Sequence, residues 1–206
     1  MTVPNGPNDI ATFQTSSQTG LSISASTQVN AINFNAGANS FVITGTLTIS
    51  GAGIVNNSGL AQRFYFGPIT FSNSASAGAN TLFNTAVQFH GTSNAASGTF
   101  NNAASFYDSS NAGSATFNGQ ACFFNQATVG NAAFNGGACF ADSTTANNAT
   151  INGGANFSNA ATAGTATING GAAFAGNSSA MDATLIANNE LFRQFHRRCC
   201  ARGDIW

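Results

Sequence analysis

Two aspartates, Asp108 and Asp142, and two cysteines, Cys122 and Cys139, are the residues whose types and spacing bear most directly on chemistry. The cysteines stand 17 residues apart and the aspartates twice that. With one backbone coil per 17 residues, the carboxylates would lie two coils, or roughly 9.6 Å, apart at the spacing of paired strands. That is the upper edge of the carboxylate separation in inverting glycosidases. The rest of their column holds Gly91, Asn125, Asn159 and Gly176, the composition of a turn. No Lys or Arg lies near them in the repeats to bind an acidic sugar. The turn reading is preferred, and no catalytic residue is assigned.

Stacked coils would bring Cys122 and Cys139 within disulfide reach, with their side chains pointing outward. A disulfide is one expectation and a pair of free thiols the other. Zinc is not expected, because there is no CxxC pair and only His90 and His196 could add ligands. Calcium binding of the repeat kind needs an Asp in every coil, and acidic residues are too few. No cofactor is expected. Thr116, Thr150, Thr167 and Thr184 form an outward column interrupted by Ala133. Ice-binding arrays pair two such columns, so one interrupted column argues against that role. Arg202-Gly203-Asp204 spells an integrin-type tripeptide, read here as a chance match.

These residues are positioned by a repeat. Phe83, Phe100, Phe117, Phe134, Ile151, Ile168 and Leu185 recur every 17 residues. Beside them run Phe89, Phe106, Phe123, Phe140, Phe157 and Phe174, and an unbroken polar column of Asn84, Asn101, Asn118, Asn135, Asn152 and Asn169. An undeviating period with apolar and polar columns is the signature of a solenoid. Within each repeat a short alternation such as Ala115, Thr116, Phe117 predicts a strand with one buried face. Asn-Gly-Gly, as at Asn152 to Gly154, predicts a turn through residues that tolerate positive φ. A second alternation follows, with Ala155 and Phe157 inward. A further column, Ala95, Ala112, Val129, Ala146, Ala163 and Ala180, is expected to plug the remaining side.

No helical pattern fits between the turns, so the fold expected is all-β, a parallel β-helix with regular coils over about residues 81–189. Face-to-face Phe stacks and an Asn ladder should hold the coils together. Each Asn is expected to bond its own turn as well as the next coil. Residues 1–80 read as longer, irregular coils of the same solenoid. In the segment FYFGPITFSNSASAGAN, aligned as one more repeat, Phe71 falls one place early.

Charged residues make up 5% of the chain, against about 25% in ordinary soluble domains, and there is no lysine. Phe held in register argues against disorder. Arg63 is the only basic residue before Arg193, which disfavours nucleic acid as a partner. No apolar run approaches the ~18 residues of a membrane helix, so no membrane insertion is expected. MTVPNGPNDIATF has neither a basic nor an apolar leader region, so the expectation is either a cytosolic protein or an internal piece of a longer exported chain, and the repeat composition favours the second. From Glu190 the chain abandons the repeat: residues 190–206 hold four of the five Arg, Cys199, Cys200 and the only Trp. This basic tail reads as a cap or, fitting better, as a shifted reading frame.

MTVPNGPNDIATF, LTISGAGIVNNSG and the SASAGAN and ATAGTATINGGAAF strings resemble the passenger region of bacterial autotransporter-type surface proteins over roughly residues 2–189. The resemblance implies a right-handed parallel β-helix displayed or released at the cell surface. The function expected is a non-catalytic spacer or adhesin-like passenger fragment, with weak contacts to other surfaces or glycans and end-to-end self-association. The alternatives are part of a polysaccharide-active β-helix protein and a repeat remnant without function.

Overall fold

The computed structural model describes residues 4–186. The tail 190–206, with Cys199, Cys200, His196 and Arg202 to Asp204, and the last repeat positions 187–189 lie outside them. Every described strand belongs to one of two ten-stranded parallel sheets, and consecutive strands alternate between the two. Gly6–Phe13 begins the first sheet and Ala172–Phe174 ends it, while Gly20–Ser22 begins the second and Thr184–Leu185 ends it. A third side is tied by single parallel bridges running Gly53, Ser76, Asn94, Asn111, Thr128, Thr145, Thr162, Ser179. The chain is thus a parallel β-solenoid of three-sided coils. No described helix is long and apolar enough to cross a membrane.

Register explains the columns. Phe83 pairs with Phe100, Phe100 with Phe117 and Phe117 with Phe134, while Phe89, Phe106, Phe123, Phe140 and Phe157 follow one another in the first sheet. Stacking is close, at 4.8 Å and 8° between Phe83 and Phe100 and 4.5 Å and 5° between Phe89 and Phe106. The two columns meet edge to face, as for Phe106 and Phe117 at 87°. Each ring therefore offers its face along the axis and meets the other column edge-on, both favoured by its quadrupole. Burying one such side chain contributes roughly 1.5–3 kcal/mol.

The third side carries more of the core than expected. Ala95, Ala112, Val129, Ala146 and Ala163 are buried as anticipated, but so is the position two residues earlier: Ser93, Ser110, Ala127, Thr144 and Ala161. That column hid because it mixes hydroxyls with alanines. Two of its hydroxyls find carbonyl acceptors, Ser110 Oγ donating to Tyr107 at 2.7 Å and Ser93 Oγ to Phe71 at 3.3 Å, while the buried Thr144 Oγ1 has no partner.

Two expectations about turns are corrected. The Asn-Gly-Gly corner does not use positive φ, since none of Gly136, Gly137, Gly153, Gly154, Gly170 or Gly171 adopts it. Glycine is required at its first position because the coil below passes too close. A Cβ on Gly119 would stand 2.5 Å from the Asn102 carbonyl oxygen, and Gly136, Gly153 and Gly170 are tighter still. In the coils after Phe83 positive φ falls at the other two corners, one of them the column Asp108, Asn125, Asp142, Asn159 at φ 58–59°. The second correction concerns Phe66. The seventeen-residue alignment puts it in the first Phe column, but Phe64 pairs with Phe83 and is fully buried, whereas Phe66 is 78% exposed at φ 50°. That coil is longer than a repeat, and part of the extra length loops out at Phe66 and Gly67.

Candidate functional site

Four features of the outer wall carry the polar or reactive side chains. The first is the aspartate column. Asp108 Oδ2 accepts from the Gly91 N–H at 2.8 Å, and Asp142 Oδ2 accepts from the Asn125 N–H at 2.8 Å. Asn125 Oδ1 does the same for the Asp108 N–H at 3.1 Å, and Asn159 Nδ2 donates to Asp142 Oδ1 at 3.0 Å. Each carboxylate thus satisfies the turn of the coil below while its own backbone sits in the left-handed region that Asp and Asn tolerate. The turn reading of Asp108 and Asp142 accounts for their geometry.

The second feature is the asparagine ladder. Asn101 Nδ2 donates to Asn84 Oδ1 at 2.8 Å, Asn118 to Asn101 at 2.7 Å, Asn135 to Asn118 at 2.8 Å, Asn152 to Asn135 at 3.0 Å and Asn169 to Asn152 at 2.7 Å. The ladder forms as expected, but its bonds run from coil to coil rather than into each residue's own turn. It is also external: Asn101, Asn118, Asn135, Asn152 and Asn169 are solvent-exposed, contrary to a buried array. At its lower end the buried Asn84 Nδ2 has no partner, because the register places Tyr65 on the rung below.

The third is a disulfide between Cys122 and Cys139, directly paired across adjacent strands with Cα atoms 4.6 Å apart. The fourth was missed from sequence. His90 stacks on Tyr107 at 4.8 Å and 9°, and Tyr107 on Phe124 at 5.2 Å and 12°, making a short aromatic ladder on the outside. His90 Nδ1 lies 3.9 Å from Asp108 Oδ2. The three rings follow the inward residues Phe89, Phe106 and Phe123, so their spacing was visible, but three different residue types disguised the column.

Among the described residues, no group of three or more His, Cys, Asp or Glu is placed to hold a metal ion. The outward threonines pair in one column as Thr99, Thr116, Ala133, Thr150, Thr167 and Thr184. A second run, Thr128, Thr145 and Thr162, stands on the third side, around the corner that contains Gly130. The two runs do not form one flat face. No protein-family model matches this chain, and no curated protein or solved structure is significantly similar to it.

Proposed function

We propose that this chain is a non-catalytic, surface-displayed β-solenoid, structural or adhesin-like, of the autotransporter-passenger kind. The observation that carries the reading is the use made of its polar side chains. Asp108, Asp142 and the asparagine column, the groups most able to do chemistry or bind charge, are tied into coil-to-coil hydrogen bonds. What remains outward is an uncharged wall of Asn, Ser and Thr, suited to weak contact with glycans or other cell surfaces. Arg63 is the only Arg or Lys among the described residues, which gives phosphate backbones little to hold. End-to-end association belongs to the same reading, although Pro7 and Asp9 blunt the free edge of Gly6–Phe13.

The test is adhesion. Beads coated with the chain should be retained on cell-surface material under flow, and beads coated with an unrelated globular protein should not. Equal retention would overturn the reading. The polysaccharide-active alternative has one observation in its favour, the approach of His90 to Asp108. Release of reducing ends from a polysaccharide, lost when Asp108→Asn and Asp142→Asn are combined, would establish it instead.

A further inference from the structure

The outer aromatic ladder stops abruptly. Above Phe124 the same column continues as Ala141, Ser158 and Ala175. Its register does not falter, since the Ala141 N–H donates to the Phe123 carbonyl and the Ser158 N–H to the Phe140 carbonyl, both at 2.9 Å. Phe124 therefore has a ring, Tyr107, against one face, and the next rung of its column is Ala141. Ala141 and, one rung further, Ser158 have side chains too short to cover a phenyl ring, so the register leaves a shelf above Phe124 with these two residues at its back. On the strand side stands Asn156, outward and exposed. On the turn side stand Asp142 and Asn159, joined to each other.

The geometry points to this shelf as a binding site for a neutral pyranose unit of a glycan, stacked on Phe124 and hydrogen-bonded at its rim by Asp142, Asn156 and Asn159. This rests on the surface-contact reading above and deepens it. A pyranose has an apolar C–H face for the ring and a rim of hydroxyls that both donate and accept. The shelf matches that division: one aromatic floor and flanking amide and carboxylate groups. Asp142 accepts one bond at each oxygen, and a carboxylate has about four acceptor positions, so capacity remains for a ligand hydroxyl. Its negative charge, with no described Lys or Arg on the shelf, turns away phosphates and uronic acids. A peptide adding as a strand finds no free edge here, because the strands at Ala138–Phe140 and Ala155–Phe157 are paired on both sides.

The experiment titrates the chain with neutral hexasaccharides of β-glucose, α-glucose and N-acetylglucosamine, read by calorimetry and by NMR shifts. At least one should bind saturably at millimolar concentration. Phe124→Ala should weaken it about tenfold or more, which corresponds to loss of a single good contact. Ala141→Phe should abolish binding by filling the shelf, while extending the ladder and leaving the thermal melt at least as high as wild type. Thr167→Ala, on another wall, should bind as wild type does. Absence of binding by all three sugars, or binding unchanged in Ala141→Phe, overturns the site. If the sugars fail while coated beads still adhere, only this site falls. If adhesion fails too, the surface reading falls with it.

Discussion

The coils before Phe83 and those after it share the same two sheets but keep their register by different means. After Phe83 the spacing is constant, one column is Phe throughout and the other is Phe up to Phe134 and then Ile151, Ile168 and Leu185, and the same Asn recurs at every rung up to Asn169. Before it each coil is longer, and the inward places pass through Ile43, Phe64, Ile49 and Phe71. The extra residues are absorbed at corners such as Phe66–Gly67 and in an irregularity between Val29 and Ala31. Individual side chains replace the ladders there. Gln62, fully buried, accepts from the Phe41 N–H at 2.8 Å and donates to the Asn39 carbonyl at 3.1 Å. A solenoid therefore does not need a fixed period. It needs the inward residues to meet, and the period is one simple way to arrange that.

The largest test of this contrast is in the core. Phe117→Ala should cost about 3–5 kcal/mol, because rings above, below and beside it cannot all collapse into the space. Ile43→Ala should cost about 2–5 kcal/mol, so that both regions prove equally dependent on inward contacts. Denaturant unfolding followed by circular dichroism measures both. An irregular region that tolerates Ile43→Ala without loss would break the comparison.

Replacing Cys122 and Cys139 together by Ser should cost about 3 kcal/mol, the value for closing a loop of this length in the unfolded chain. The loss should appear in wild type on reduction and be absent from the double variant on reduction. Asn135→Ala should cost only about 1 kcal/mol, since water can replace exposed ladder bonds. A loss above about 2 kcal/mol would mean that the ladder behaves as a buried network. Phe66→Gly runs the other way. Relieving a left-handed phenylalanine should stabilise the chain by about 1 kcal/mol and raise Tm by a few degrees. An unchanged or lower Tm would show that the loop at Phe66 is held by contacts its exposure does not reveal.

Much of this architecture is legible in the amino-acid sequence alone. Phe83 to Leu185 and Phe89 to Phe174 announce inward columns because only a stacked core favours a large apolar residue at an identical interval. The Asn column is legible as a ladder for the same reason. Its exposure is not, since one-dimensional spacing says that like residues stack and not which side of the backbone they occupy. Ser93 and Ser110 escape notice because a hydroxyl can be buried once a carbonyl accepts its proton, and that carbonyl is placed only by the folded coils.

What the sequence determined by itself is the coil: its length, its inward rings and its direction of stacking. What only the tertiary structure decided is how each corner is made. Gly136 and Gly153 are there to let a neighbouring carbonyl pass rather than to reach positive φ, and Asp108 and Asp142 are bound into turns rather than left to react. It also stacked His90, Tyr107 and Phe124 into an outer ladder that ends at Phe124. These are contacts between coils, separated by one full repeat along the chain, and their distances are set by the closing of three sides around one core.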